Sequence, residues 1–253
     1  MACKNDATYA AIRAQLVRGE LRAGERVSEQ SLAEQLGVSR SPVREAIKRL
    51  QRDGYFQQVH RYGTIVRQPD LDEVTHAYQL REALEPYALL HTPPSRYAPS
   101  LGELAELCRQ LIPLAEAALE DPDPASSVAR SQAFFRNDQR FHELLLHCGG
   151  NTRFQALVAD ARLFAQIHGV RRHSVITFET VMGVYRFHQH IVDAIAQQDM
   201  PRASQHMAEH LRQSREGAED WLRFQARRLD ADPPSPPPDP TAEPDDPGPA
   251  GAD

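Results

Sequence analysis

At 253 residues, with 41% hydrophobic and 25% charged side chains, the chain has room for one or two domains with real cores and the composition of an ordinary globular protein. It holds no apolar run near the roughly 18 residues of a membrane span, its N-terminus lacks the basic-then-apolar order of a signal peptide, and Cys3, Cys108 and Cys148 form no CxxC pair. A membrane protein, a disulfide framework and a thiolate zinc site are thereby disfavoured, and a reducing cytoplasm is the expected compartment.

The formal charge of −6 divides unevenly. Residues 1–68 carry 12 Lys and Arg against 7 Asp and Glu, residues 69–231 carry 17 against 22, and residues 232–253 carry none against 6. A small basic end joined to a larger acidic body points to one segment that approaches a polyanion.

In the basic end, "SLAEQLGVSRSPVREAIKRLQRDGY" places Leu32, Ala33 and Leu36 on a short apolar face that stops at Gly37. Val43, Ala46, Ile47 and Leu50 then form a second face at i, i+3, i+4, i+7. This is a helix-turn-helix pattern. Ser39 or Ser41 is placed to cap the second helix, Pro42 falls in its first turn, and Gly54 stops it. Arg40, Arg44 and Lys48 leave its start and exposed face, where a recognition helix meets base edges and phosphates. Next, "FQQVHRYGTIV" alternates around a turn at residues 60–63, which predicts a two-stranded wing near residues 56–67 with His60 and Arg61 at its tip. Alone, the arginines read as the solvated face of a helix hairpin. The order helix, turn, basic helix, basic wing makes them a DNA-reading surface. Residues 69–72 read as a linker.

Beyond the linker, nearly everything between the proline-rich breaks has helical period. Arg81 sits beside the apolar stripe of Ala77, Leu80, Leu84 and Ala88, and two readings of it stay open. Its guanidinium either clamps a ligand carboxylate or pairs with Glu85 at i+4. "TPPSRYAP" (92–99) and "EDPDPASS" (120–127) are predicted as loops, and no individual helix is placed between residues 92 and 130.

The stretch "RNDQRFHELLLHCGGN" (136–151) begins like the HExxH helix of a zinc peptidase, with His142 followed by Glu143. Leu146 occupies the place of the second histidine, and His147 comes one residue late, on the opposite face. Phe134, Phe141 and Leu145 define the apolar stripe of this helix, and steps of about 100° put Asp138 inside the stripe and His142 at its edge. In "VYRFHQHIVDAIAQQD", the face of Val184, Ile191, Val192 and Ile195 includes His188 and excludes His190. In the helix that starts after Asp199, the stripe of Ala203, Met207, Leu211, Ser214 and Ala218 includes His210, with His206 nearer its border. Any one of these buried polar residues reads most simply as a hydrogen-bonded core group. Together Asp138, His142, His188 and His210 form a set of one carboxylate and three imidazoles on three helices, able to share a divalent cation and leave positions for water or a ligand. The sequence does not orient Arg162, Arg171 and Arg172. From Asp232 onward the chain holds nine of its 19 prolines and no aromatic or large aliphatic residue, so 229–253 is predicted to be a disordered acidic tail.

Residues 8–68, above all "LAEQLGVSRSPVREAIKRL" with the following "DGY", resemble the winged-helix domain of the GntR family of bacterial transcription regulators. "LREALEPYA" (80–88), "NDQRFHELLLHCGGN" (137–151), "HQHIVDAIAQQD" (188–199) and "HMAEHL" (206–211) are similar to the all-helical FCD effector domain of the FadR branch of that family. The resemblance implies a mainly α protein: a winged helix-turn-helix with a small β-wing over 1–68, and a helical effector and dimerisation bundle over 73–228. It implies Arg40 and Arg44 as principal DNA contacts assisted by Ser39, Ser41 and His60, a metal at Asp138, His142, His188 and His210, and a small organic acid coordinating that metal. Two features depart from the family pattern. Gln30 stands where an arginine that contacts DNA is often found, and "RAG" (22–24) replaces the usual Pro-Gly turn.

The expected function is a metabolite-responsive repressor in the bacterial cytoplasm. It would bind a pseudo-palindromic double-stranded operator as a homodimer and leave it when a small carboxylate reaches the metal, with zinc first and nickel, cobalt or manganese as the other candidates. An enzyme is not expected. A metal-dependent hydrolase would have only Glu143 as a nearby base, about 100° round the helix from His142, and would leave the winged helix unexplained. A metal that is purely structural, or is itself the signal, is the remaining alternative. The intact quartet argues against the acyl-CoA effector of a metal-free member of the branch.

Overall fold

The computed structural model describes residues 2–18, 20–21, 24–67, 70–121, 123–167 and 176–231. Helix α1 (Ala2–Arg18) precedes the helix-turn-helix and buries Ile12 and Leu16 against it. Helix α2 (Glu29–Leu36) starts at Ser28, whose hydroxyl accepts from the Ser31 amide, and ends at Gly37 in the left-handed conformation, φ +64°. Helix α3 (Arg40–Arg52) follows at once. Ser39 occupies its N-cap position with extended backbone, yet its side chain makes no capping bond, and Ser41 already lies inside the helix. The expected side-chain cap is therefore not formed, and both serines stay exposed.

The wing forms as expected from β2 (Phe56–Val59) and β3 (Gly63–Val66), antiparallel with Phe56 opposite Val66 and Val59 opposite Gly63. A further strand, β1 (Arg26–Val27), pairs with the other edge of β3, giving the order β1-β3-β2. Two residues are too few for an alternating pattern to register in the sequence, so this strand is not among the predicted elements. Val43, Ala46, Ile47 and Leu50 of α3 pack with Ile12, Leu16, Tyr55, Phe56 and Val66 in one core. Burying a Leu, Ile, Val or Phe side chain stabilises by about 1.5–3 kcal/mol. This packing fixes which face of α3 is left to solvent.

Helix α4 (Leu71–His91) starts inside the segment expected to be a linker. Asp70 accepts from the Glu73 amide at 2.8 Å, and the Glu73 carboxylate accepts from the Asp70 amide at 3.1 Å, a reciprocal capping box. Residues 92–99 hold two short 3-10 turns, Pro94–Arg96 and Ala98–Ser100. Then come α5 (Leu101–Arg109), α6 (Leu111–Glu120) and α7 (Pro124–Gly149), where no helix had been placed. The predicted break at 120–127 shrinks to 121–123 because Pro124 is the first residue of α7, a position whose N–H has no helical acceptor to lose.

Helices α8 (Thr152–Ile167), α9 (Phe178–Ala196) and α10 (Met200–Ala231) complete the bundle. Helix α10 runs three residues into the segment assigned to the tail, and residues 232–253, like Arg171 and Arg172, lie outside the described residues. Helix α10 packs along α4 and α9, while α8 lies on α4 and also touches α1 of the winged domain. Arg215 ties α10 to α4 through Glu82 at 2.8 Å. The central core gathers Leu104, Phe141, Leu145, Ile191, Ile195 and Leu211. No helix among the described residues is long and apolar enough to cross a membrane.

Candidate metal centre and DNA-reading face

Helix α7 brings Asp138 and His142 to the middle of the bundle, α9 brings His188 and α10 brings His210. All four side chains are buried, and one ligand atom from each lies within 4.8 Å of the others. Asp138 Oδ1 stands 3.5 Å from His188 Nε2, 3.6 Å from His142 Nε2 and 3.9 Å from His210 Nε2. The Nε2 atoms of His142 and His210 face each other at 3.2 Å. Ligand bonds of about 2.0–2.2 Å set neighbouring donors around a zinc-like ion roughly 3–3.5 Å apart, so three nitrogens and one oxygen at these separations suit a divalent cation. The quartet selected by helical periodicity converges.

Two of the rings are held by different devices. The ring of His188 stacks on Phe141 with centroids 3.7 Å apart and planes 7° from parallel. His142 is oriented by Glu85, whose carboxylate meets Nδ1 and leaves Nε2 to the centre. Glu85 in turn accepts from Arg81 Nε at 2.7 Å. Burial pushes the Glu85 carboxyl up, but His142 and Arg81 outweigh it and hold the group well below the usual carboxylate range. It is an anion bonded to the back of a candidate ligand. Burial, reinforced by neighbouring His210, pushes His188 well below the ordinary histidine value, and burial beside His142 lowers His210 to about 3. Both present neutral imidazoles, the form a metal takes. Neither ring nitrogen of His188 has a hydrogen-bond partner among the described residues. An orphaned buried acceptor costs about 1–3 kcal/mol, and a cation between the four ligand atoms would relieve it.

Of the two readings left open for Arg81, the pair with Glu85 is the one that forms, buried on both sides. The guanidinium that reaches the quartet is that of Arg162 on α8, whose Nη2 donates to Asp138 Oδ2 at 2.7 Å. Glu85 and Arg162 escaped the sequence reading as parts of the centre. Glu85 was visible only as the i+4 neighbour of Arg81, and nothing in the sequence sets α8 against α7. His206 stays outside the centre, half-buried with its ring 5.1 Å from that of His190. His147 is exposed, and Glu143 accepts from Gln139 at 2.6 Å on the flank of α7.

A cavity of about 380 Å³ opens beside the quartet, with Asp138 and His210 in its wall. Its size falls within the range of small-molecule sites.

On the winged domain, Ser39, Arg40, Ser41, Arg44 and Lys48 all lie exposed on α3 or just before it. His60 and Arg61 are exposed at the wing tip, Arg61 with φ +62°. Glu29, the first residue of α2, unites the two arginines. Its carboxylate accepts a fork from Arg44, Nε at 3.0 Å and Nη2 at 2.9 Å, and a longer contact from Arg40 at 3.5 Å. The bonds from Arg44 hold the Glu29 carboxyl below its ordinary value. Lys48 leans on Glu45 at 3.2 Å. Arg49 turns to the other side, onto the Tyr9 ring and Asp6.

Residues 4–66 match the profile of the bacterial regulatory proteins of the gntR family, and residues 76–213 match that of the FCD domain. The chain belongs to the GntR family of transcription regulators, in the branch that carries an FCD effector domain. It is 31% identical over 205 residues to an HTH-type transcriptional regulator from an unstable DNA locus of Streptomyces ambofaciens, covering 81% of this chain and 80% of that one. It is 26% identical over 205 residues to the HTH-type regulator YdhC of Bacillus subtilis, covering 80% and 85%. Two solved structures share the fold at a TM-score of 0.65 while covering 88% of this chain and 98% of their own. They are a GntR regulator from Rhodococcus sp. RHA1 at 22% identity and McbR/YncC of E. coli at 20%. The protein is therefore a DNA-binding regulator with a ligand-binding effector domain.

Proposed function

We propose that this regulator is a repressor that binds a pseudo-palindromic operator as a homodimer and leaves it when a small carboxylate enters the FCD domain. One observation carries the reading. Four buried potential ligand atoms on three helices lie within 4.8 Å of one another, and two of the residues that carry them, Asp138 and His210, line a cavity large enough for a metabolite. A divalent cation held by Asp138, His142, His188 and His210 would anchor the carboxylate. Nitrogen-rich ligation favours zinc, with nickel, cobalt and manganese as the alternatives. Arg40 and Arg44 would read the major groove, with Ser39, Ser41 and Lys48 on the backbone and His60 and Arg61 reaching from the wing.

The link between the two ends runs through α8. Arg162 on this helix holds the ligand residue Asp138, and Asp160, two residues before it, accepts from the Tyr55 hydroxyl of the winged domain at 3.1 Å. Arg13 of α1 stands 3.9 Å from the same Asp160 oxygen. An acid seated beside Asp138 offers Arg162 a second anion. Any shift of α8 toward it changes the grip of Asp160 on Tyr55 and Arg13, and with it the placement of α3. The coupling expected between two such sites is about 1–3 kcal/mol.

The test pairs metal analysis with operator release. Protein loaded with zinc should hold one ion per chain, and His188→Ala should lose it. Carboxylates should raise the melting temperature and release DNA in the loaded protein but not in His188→Ala. If chelator alone releases the operator and no acid changes the result, the ion is itself the signal and the proposal fails.

A further inference from the structure

The cavity beside the quartet has a buried floor, aromatic walls and an exposed rim. Asp138 and His210 at the floor are buried. Five aromatic side chains, Tyr78, Phe134, Phe135, Phe187 and Trp221, share the wall with them. Glu179, Thr180 and Gln213 at the rim are exposed. A head group bound at the floor therefore has the rest of its molecule among aromatic rings.

Charge narrows the ligand further. Among the described residues, the acidic and basic side chains on this wall apart from His210 are Asp138 and Glu179, both carboxylates. The nearby guanidiniums of Arg81 and Arg162 face Glu85 and Asp138 and are not part of it. A second carboxylate on the far end of a ligand would lose water among aromatic faces and then meet Glu179, with no described cation to receive it. An apolar body in the same place gains burial and ring contacts.

Resting on the function proposed above, we infer that the effector is a monocarboxylate with an apolar body of about the size of an aromatic ring, and that this regulator discriminates against dicarboxylates. Gly183 on α9 and Gly217 on α10 leave room for that body. Both line the cavity, and a Cβ built on either meets nothing within 4 Å. Bulk added at these positions narrows the space without touching the four ligand residues.

The chain's single tryptophan lies on the cavity wall and supplies the readout. Zinc-loaded full-length protein is titrated with 3-phenylpropionate, 4-methylpentanoate, acetate and succinate, following Trp221 fluorescence and confirming by calorimetry. The two apolar acids should bind at least about ten-fold tighter than acetate or succinate. Gly183→Leu should lose most of the preference for 3-phenylpropionate over acetate while keeping its full zinc content. Succinate binding as tightly as, or more tightly than, the apolar acids overturns this inference and leaves the metal-held carboxylate standing. So does a Gly183→Leu protein that binds zinc and 3-phenylpropionate like the parent. Failure to take up zinc, or no response to any of the four acids, overturns the reading of the site and this inference with it.

Discussion

Arg44 and His188 stand at opposite ends of solvent exposure, and each marks how its half of the molecule carries function. The winged domain packs an apolar core and keeps its proposed DNA contacts in water, with the Arg44 side chain 52% exposed. The bundle places its working groups in the core itself, where His188 and His142 are fully buried among leucines, isoleucines and Phe141. A surface cation is nearly neutral for folding, so its cost and benefit appear only on DNA. A buried imidazole or carboxylate is costly unless compensated, so the bundle's stability and its chemistry are one quantity.

That contrast is open to attack at four points. The largest effect is expected from Asp138→Ala, which removes a proposed ligand and breaks a buried pair with Arg162. We expect a loss of about 3–5 kcal/mol in denaturant unfolding together with loss of metal, and unchanged stability would show that the bundle tolerates its polar centre as the winged domain tolerates its surface. Next comes metal removal. Zinc at a hundred-fold excess over its Kd should add about 2.7 kcal/mol to the stability of the native state, seen as a fall in Tm on chelation. A Tm indifferent to chelator would separate stability from the centre. Arg44→Ala, by contrast, should leave Tm alone and weaken operator binding roughly 5- to 100-fold; equal affinity in a gel-shift titration would dismiss the contact. The smallest effect is Tyr55→Phe, which deletes the bond to Asp160 at about 0.5–1.5 kcal/mol of stability. Its sharper readout is the effector concentration needed for release, which should change although neither DNA-reading residues nor metal ligands are altered.

Much of both halves was legible in the sequence, for reasons that also mark the limit. Val43, Ala46, Ile47 and Leu50 repeat with helical period, so the face opposite them could be named as the DNA face. Asp138, His142, His188 and His210 interrupt apolar stripes, and a polar residue on a buried face is conspicuous. Glu85 and Arg162 also reach the centre, but Glu85 has an ordinary helical partner in Arg81, and Arg162 acquires its role only when α8 packs across the bundle. Prolines misled the reading of residues 92–130. Pro113 and Pro124 fall in the first turns of α6 and α7, where a missing N–H is harmless, so they open helices instead of separating them. The Ser39 cap failed for a local reason of the same kind: the position was right, but the side chain turned to solvent.

Glu29 gives the winged domain a property that its inventory of cations hides. Arg44, and more loosely Arg40, already have an anion at hand before any phosphate arrives. If these two arginines are the DNA contacts proposed above, docking on a duplex is partly an exchange of one oxyanion for another, with Glu29 left close by as an uncompensated negative charge. Each phosphate neutralised outright steepens the dependence of log affinity on log salt by about 0.9. The slope for this protein should consequently fall short of its number of basic contacts, and Glu29→Gln should restore part of the difference. On that reading, the carboxylate that aligns the two arginines would also temper their attraction to DNA of any sequence, leaving more of the discrimination to the bases.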